Sequence, residues 1–429
     1  MRPAGAQPER EPGRPAAPGV RVVLDARPLQ DPDRSPVTAA YLASLLGAYD
    51  AAPVAGESFA LLLQADLPDP TEQLRHLPVV GRRLLPPTRL LRSGALAIDP
   101  FLLRGASLGA AWRADRSGAA GAVFHAAGGA VPVPLLAALP SVVTLLDLAA
   151  WELPDAYQRG TAARFGQQLR ERLLRDVAAV IVGSADVARA ARRHLRIRRD
   201  RLRIVPLAPR AAFRGPFDPE VGRRERARLG LPDRYIVYAG RFDARHDVGT
   251  LVGALSELAS AGRPPRLRAA VPWPPRVLLV DASPDDRAAL ARAAGRAGAG
   301  EALAYAQRVS PDRLAALVGG ARATLLPVVS ESAGLPALES VAAGTPIIAS
   351  AVGPLPGIVG SAGILVEPRD PRSLARALAT IWVDDRVHAA LATAAGARSA
   401  GMTRTWLDVA AETRAVYAEI GVTRDRGSA

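Results

Sequence analysis

The chain has no cysteine, no lysine and no asparagine in its 429 residues. Without cysteine, disulfides and thiolate metal sites are excluded. Without lysine, a pyridoxal Schiff base and a phosphate-loop lysine are both impossible. All the positive charge is therefore arginine. The five histidines (His76, His125, His194, His246 and His388) are scattered, with none at metal-ligand spacing. No metal and no cofactor is implied. Aromatics make up only 4% of the chain, and no basic patch interleaves with them, which argues against nucleic acid. No apolar run reaches the roughly 20 residues that a membrane span needs. Residues 1–19 are rich in Pro, Gly, Ala and Arg and lack an apolar h-region. They read as a disordered leader and not as a signal peptide, so a cytoplasmic location is expected.

What is present suits a globular chain. Hydrophobic residues make up 49%, and the length allows two domains with separate cores. The net charge of +14 reads as an arginine-covered surface, or as a basic face for nucleotide diphosphates or an acidic membrane. Strands are expected at 20–25, 58–63, 121–125, 141–146, 180–184 and 203–206, with a helix over 160–178 and another ending near 195. Residues 69–118 carry many Arg, Leu and Pro without clean periodicity, and 206–222 reads as a Pro/Gly-rich connection. A second series follows: strands at 235–240, 276–280, 323–327, 347–349 and 363–366, and helices at 247–260, 311–319, 371–382 and 403–420. Strands alternating with helices argue for α/β architecture with two parallel, doubly wound sheets. Ligands of such sheets sit at the carboxyl ends of the strands, so a cleft between the two is the expected site.

The most informative stretch is Ser330 to Ser350, which reads SESAGLPALESVAAGTPIIAS. Pro336 fits the first turn of a helix, where a missing N–H costs nothing. Glu331 then lies in the loop before the helix, and Glu339 about one turn inside it. Free N–H groups at a helix start beside Gly334 and Leu335 form an anion site. Two carboxylates close by accept hydrogen bonds from hydroxyls. Diphosphate on the helix end, with sugar and ribose hydroxyls on the carboxylates, describes a nucleotide sugar.

This segment resembles the donor signature of the retaining GT-B glycosyltransferases of family 4, which reads Glu-Gly-Phe-Gly-Leu-Pro, a second Glu, then Ala-x-Gly-x-Pro-Val. Ser332-Ala333 replaces the family's Gly-Phe. The resemblance covers most of residues 20–420 and is stronger in the second half. It implies two Rossmann-like domains facing across a cleft, at 20–212 and 213–400, with a final helix at 401–420 returning to the first. It also implies a retaining hexosyltransferase with a nucleotide-diphosphate sugar as donor and a carbohydrate or lipid-linked acceptor. Glu331 would hold the donor sugar and Glu339 the ribose.

Further positions follow by the same resemblance. Tyr238 to Val248 (YAGRFDARHDV) is similar to the family's phosphate motif of Gly-Arg followed five residues later by Lys. Gly240 would let the backbone turn tightly, and Arg241 would bridge phosphate oxygens. The lysine position falls on His246, which offers little charge at neutral pH, with Arg245 next door to compensate. Val309, after Tyr305-Ala-Gln-Arg, would present its backbone to the base, in what reads as a loop.

The first domain departs more from the pattern. The stretch matching the family's glycine-rich loop is Ser35 to Tyr41, without glycine. The usual His-Asp is Leu146-Asp147. Asp147, and His125 in Val-Phe-His, are the acceptor-side candidates. These departures leave a rival open: a catalytically impaired homologue acting as a binding or partner subunit. Gly105-Ala-Ser107-Leu-Gly109 matches the hydrolase nucleophile elbow but lacks a strand before it and a helix after it, so it reads as a loop. Arg75, Arg82, Arg83, Arg89, Arg92 and Arg104 could rest on an anionic inner-membrane surface as a peripheral contact, or simply cover apolar surface.

Overall fold

The computed structural model describes residues 20–422 apart from 89, 91–94, 115–120, 128–130, 135–138, 239 and 308. Thirteen strands among them form two all-parallel sheets. The first contains β1 (Arg21–Asp25), β2 (Ser58–Gln64), β3 (Val79–Leu85), β4 (Ala122–Ala127), β5 (Ser141–Thr144), β6 (Ala179–Val182) and β7 (Leu202–Ile204). Its order is β3-β2-β1-β4-β5-β6-β7. The second contains β8 (Ile236–Tyr238), β9 (Val277–Val280), β10 (Leu303–Ala306), β11 (Ala323–Leu326), β12 (Ile347–Ser350) and β13 (Gly363–Val366), in the order β10-β9-β8-β11-β12-β13. Strands such as β1, β6, β8, β9 and β11 are buried along their whole length, which explains their continuous apolar runs. The strand order reverses at β1/β4 in one sheet and at β8/β11 in the other. Crevices open at such switch points, beyond the carboxyl ends of the strands.

The helices of eight or more residues are α1 (Pro36–Ala51), α2 (Ala95–Ala114), α3 (Thr161–Asp176), α4 (Ala185–Leu195), α5 (Pro219–Arg228), α6 (Val248–Ala261), α7 (Pro284–Arg296), α8 (Pro311–Gly319), α9 (Leu335–Ala342), α10 (Pro371–Val383), α11 (Asp385–Gly401) and α12 (Trp406–Val422). They cover both sheets. One core packs β1 and β2 against α1 and α12. Another packs β8 and β9 against α6 and α10. The last helix therefore serves the first sheet: Trp406, Val409, Ala410, Val416 and Tyr417 belong to that first core.

The chain crosses between the two sheets twice, near 205–218 and near 402–405. The crossings are fastened together. Arg214 donates to the carbonyls of Met402 (2.9 Å) and Arg404, and Arg404 Nε donates to the Pro206 carbonyl at 2.8 Å.

Several expectations need correcting. The stretch 69–118 holds two regular elements, β3 and α2. β3 is an edge strand that exposes five of its seven residues, Val80 to Leu84, so it carries no alternation. α2 carries an internal Pro100. Gly105-Ala-Ser107 lies inside α2 and not in a loop, and Ser107 is buried with its hydroxyl donating to the Arg104 carbonyl at 2.9 Å. Tyr305 belongs to strand β10, so the loop there begins after Ala306. The connection after 206 ends at Asp218, which caps α5 by accepting from the Glu220 N–H.

Of the arginines on the expected anionic surface, Arg104 is buried and Arg82 is paired with Asp69 at 2.5 Å. Arg75 and Arg83 are exposed, while Arg89, Arg92 and the 1–19 segment lie outside the described residues. No helix among the described residues is long and apolar enough to cross a membrane.

Candidate active site

The loops after β8 and β11 run side by side at the switch point of the second sheet. His246 forms an isolated antiparallel bridge with Val328. Asp247 N donates to Pro327 O and Val329 N to Arg245 O, both at 2.9 Å. This pairing brings the Arg241–His246 segment beside the Ser330–Gly334 segment.

In the second segment, Glu331 is 7% exposed. Its Oε1 accepts from the backbone N–H groups of Ser332 (3.0 Å), Ala333 (2.9 Å) and Gly334 (2.9 Å). The helix start beside Gly334 and Leu335 was expected to be free for diphosphate; its Gly334 amide is instead taken by the chain's own carboxylate. Oε2 of Glu331 has no partner among the described residues. Two glycines make this geometry possible. Gly334 caps α9 at φ +66°, and a Cβ there would meet Ile358 Cδ1 at 2.4 Å. At Gly353, also at positive φ, a Cβ would lie 2.1 Å from the Glu331 carbonyl oxygen.

Leu335 packs its side chain into the core that includes Leu146 and Val205 of the first sheet's half. Glu339, one turn into α9, is 5% exposed. Burial pushes its carboxyl up, and a hydrogen-bonded ion pair with Arg210 works the other way. Arg210 Nη2 lies 3.0 Å from Oε2 and Nε 2.5 Å from Oε1. Arg210 carries no motif, and sequence reasoning missed it.

In the first segment, a Cβ on Gly240 would meet Tyr238 Oη at 2.8 Å and His246 Cδ2 at 2.9 Å. Arg241 Nη1 donates to the Arg34 carbonyl, across the cleft, at 2.8 Å. The lysine position carried over to His246, whose Nδ1 lies 2.9 Å from Asp243 Oδ1. Burial disfavours the Asp243 charge, yet the His246 hydrogen bond and the Arg245 guanidinium hold this carboxyl well below its usual range. Arg245, like Arg241, reaches across the cleft. It is 5% exposed, and its Nη1 lies 2.9 Å from Asp147 Oδ2. Burial lowers its pKa, but Asp147, Glu331 and Asp243 together raise it above the ordinary value. Its Nε is buried without a partner.

The first-domain wall follows β5. Asp147 Oδ1 accepts from Ala149 N at 2.8 Å, leaving Oδ2 for Arg245. Leu148 N donates to Ser332 Oγ at 3.1 Å, and Ser330 Oγ donates to Glu152 Oε2 at 2.6 Å. Tyr157 Oη is buried and unpartnered, and burial pushes its pKa to about 12. Ser330, Ser332, Glu152 and Tyr157 also escaped the sequence reading, since small hydroxyls and lone acids carry no spacing signal.

Two candidates fall outside this arrangement. His125 is fully enclosed: Nε2 is 2.9 Å from Thr144 Oγ1, Nδ1 is 2.7 Å from Tyr417 Oη, and burial drives its pKa down to about 3. It is a neutral strut between β4 and α12, not an acceptor contact. Val309 packs its side chain against the second sheet's other core, beside α8. Among the described residues no group of three His, Asp or Glu is placed to hold a metal ion.

Residues 223–398 match the family described as Glycosyl transferases group 1. That span is a group 1 glycosyl transferase domain. It holds Arg241, Arg245, Glu331 and Glu339, whereas Asp147, Tyr157 and Arg210 lie outside it. The chain is 35% identical over 213 residues to the D-inositol 3-phosphate glycosyltransferase of a Nocardioides species, covering 47% of this chain and 46% of the relative. The chain thus spans about half the length of the curated relatives it matches. Sucrose-phosphate synthase from Thermosynechococcus elongatus shares the fold at TM-score 0.67 and 20% identity, over 94% of this chain and 99% of that one. Anabaena HepE in complex with UDP does so at TM-score 0.63 and 16% identity, over 94% and 100%. The architecture is GT-B.

Proposed function

We propose that this chain transfers a sugar from a nucleotide-diphosphate donor to a carbohydrate or lipid-linked hydroxyl, with retention of configuration. The observation that carries this reading is the meeting of Arg241, Arg245 and Glu331 at the β8/β11 switch point of a group 1 domain, against Asp147 of the facing sheet. Departure of the diphosphate develops negative charge. The half-buried Arg241 and the buried Arg245 are cations positioned to neutralise it. Arg245 thereby takes the part that the resemblance gave to a lysine. Glu331 keeps Oε2 for hydroxyls of the donor sugar, while Oε1 anchors the loop. Retention without a clear protein nucleophile fits attack on the face the diphosphate leaves, with a diphosphate oxygen taking the acceptor proton.

Arg245 is paired with Asp147, so donor binding exchanges that carboxylate for phosphate oxygens. The experiment is titration with UDP and GDP sugars by calorimetry, followed by a transfer assay with anomeric assignment of the product by NMR. Replacing Arg245 with Ala is expected to lower kcat by about a hundredfold or more, the scale of one lost charge-stabilising donor. Wild-type chain that binds no nucleotide overturns the reading, and binding without transfer across a broad acceptor panel leaves only a binding role.

A further inference from the structure

Glu339 is the more buried partner of its ion pair: its side chain is 6% exposed, against 25% for Arg210. Arg210 comes from the crossing segment, 129 positions earlier in the chain. It engages both carboxylate oxygens at once, Nε on Oε1 and Nη2 on Oε2. The guanidinium is itself steadied over the Phe213 ring, 5.0 Å from its centroid. The wall around Glu339 includes Leu314 and Val318 of α8, Thr324 and Leu326 of β11, and Ile347 of β12. None of these carries a charge. Among the described residues Arg210 is the charged group facing this carboxylate from any element packed on it. A carboxylate in such surroundings favours its neutral form unless a cation holds it ionised.

We infer that Arg210 is a positioning residue for nucleoside recognition, holding Glu339 ionised and in one orientation so that its remaining lone pairs accept the ribose hydroxyls. This rests on the donor reading above. A bidentate guanidinium occupies one lone pair on each oxygen and leaves the others, so the two contacts are compatible. Glu339 would then read a ribose diol only while Arg210 is in place, and the crossing segment becomes part of the donor site.

The test is calorimetric titration of wild type, Arg210→Met and Arg210→Lys with UDP, GDP and inorganic pyrophosphate. Pyrophosphate reports on Arg241 and Arg245 without a ribose. Arg210→Met is expected to weaken nucleotide binding by about tenfold to a hundredfold, since the buried carboxyl then favours its neutral form. Pyrophosphate affinity should stay unchanged, and Arg210→Lys should recover much of the loss. Unchanged nucleotide affinity in Arg210→Met, or an equal loss of pyrophosphate affinity, overturns the inference. Tighter binding in that variant would make Arg210 a plug over Glu339 and also overturn it. Wild-type chain that binds neither nucleotide removes the donor reading and this inference with it, whereas wild type that binds nucleotide no more tightly than Arg210→Met overturns this inference alone.

Discussion

At His125 the ring is enclosed between Thr144 of β5 and Tyr417 of α12. Burial lowers its pKa from 6.5 to about 3. Between those values the unfolded chain binds a proton that the folded chain refuses. Stability is therefore full above about pH 6.5 and falls as the pH drops toward 3, by about 3 kcal/mol at about pH 4 from this residue alone. Denaturant unfolding at a series of pH values checks it. Exchanging His125 for Gln, which keeps hydrogen-bonding capacity without titrating, should flatten the acid limb by close to one proton. An unchanged limb would assign the acid sensitivity elsewhere. The residue scale is also where sequence reasoning was least sufficient. Val-Phe-His is the same string whether the ring meets a substrate or a helix 292 positions away. Nor does the sequence at 241–248 show that Asp243 takes the His246 imidazole while Arg245 pairs with Asp147. Glu331 and Glu339 were legible because the helix start fixes where each must lie.

The loop and helix from Ser330 to Ala342 work as one element. Glu331 ties three consecutive amides, and Gly334 supplies the left-handed turn that puts them there. Adding a methyl group at Gly334 both strains φ and drives into Ile358. Gly334→Ala should therefore cost about 1–3 kcal/mol and weaken nucleotide binding, measured by thermal unfolding and by calorimetry. A variant as stable as wild type would show that the turn adapts.

Other elements show what patterning reveals. The buried strands and the strongly amphipathic α3 and α4 stand out in the sequence, since burial on one or both faces dictates their residues. The edge strand β3 and the Pro-containing α2 do not. Among the helices missed, α5, α7 and α11 had readable caps, α5 at Asp218. Ser283 before Pro284-Asp285-Asp286 accepts from Asp286 N, and Asp384 accepts from Arg386 N and Val387 N. Alanine-rich runs such as 385–401, buried at only Ala395, lack the apolar stripe that would have drawn attention.

For the whole molecule, α12 is the longest-range dependency. Tyr417 touches His125 and Tyr49, Arg414 pairs with Glu57 at 2.8 Å and covers the Tyr49 ring, and Trp406 meets Tyr41 edge-on at 5.7 Å. Ending the chain after Thr405 would leave the core face of β1, β2 and α1 open to water, a loss of several large side chains at about 1.5–3 kcal/mol each. The first half should then unfold while the group 1 domain keeps its own transition. Scanning calorimetry with limited proteolysis distinguishes this from intact folding of both halves, which would assign α12 a minor part.

The paired crossings, stitched by Arg214 and Arg404, have a mechanical consequence. A single tether lets one body swivel and rock freely against another. Two tethers fixed side by side define an axis, much as a spine does for the boards of a book. Opening then has one angular coordinate, and Arg241 over Arg34, Arg245 on Asp147 and Ser330 on Glu152 must part and meet together.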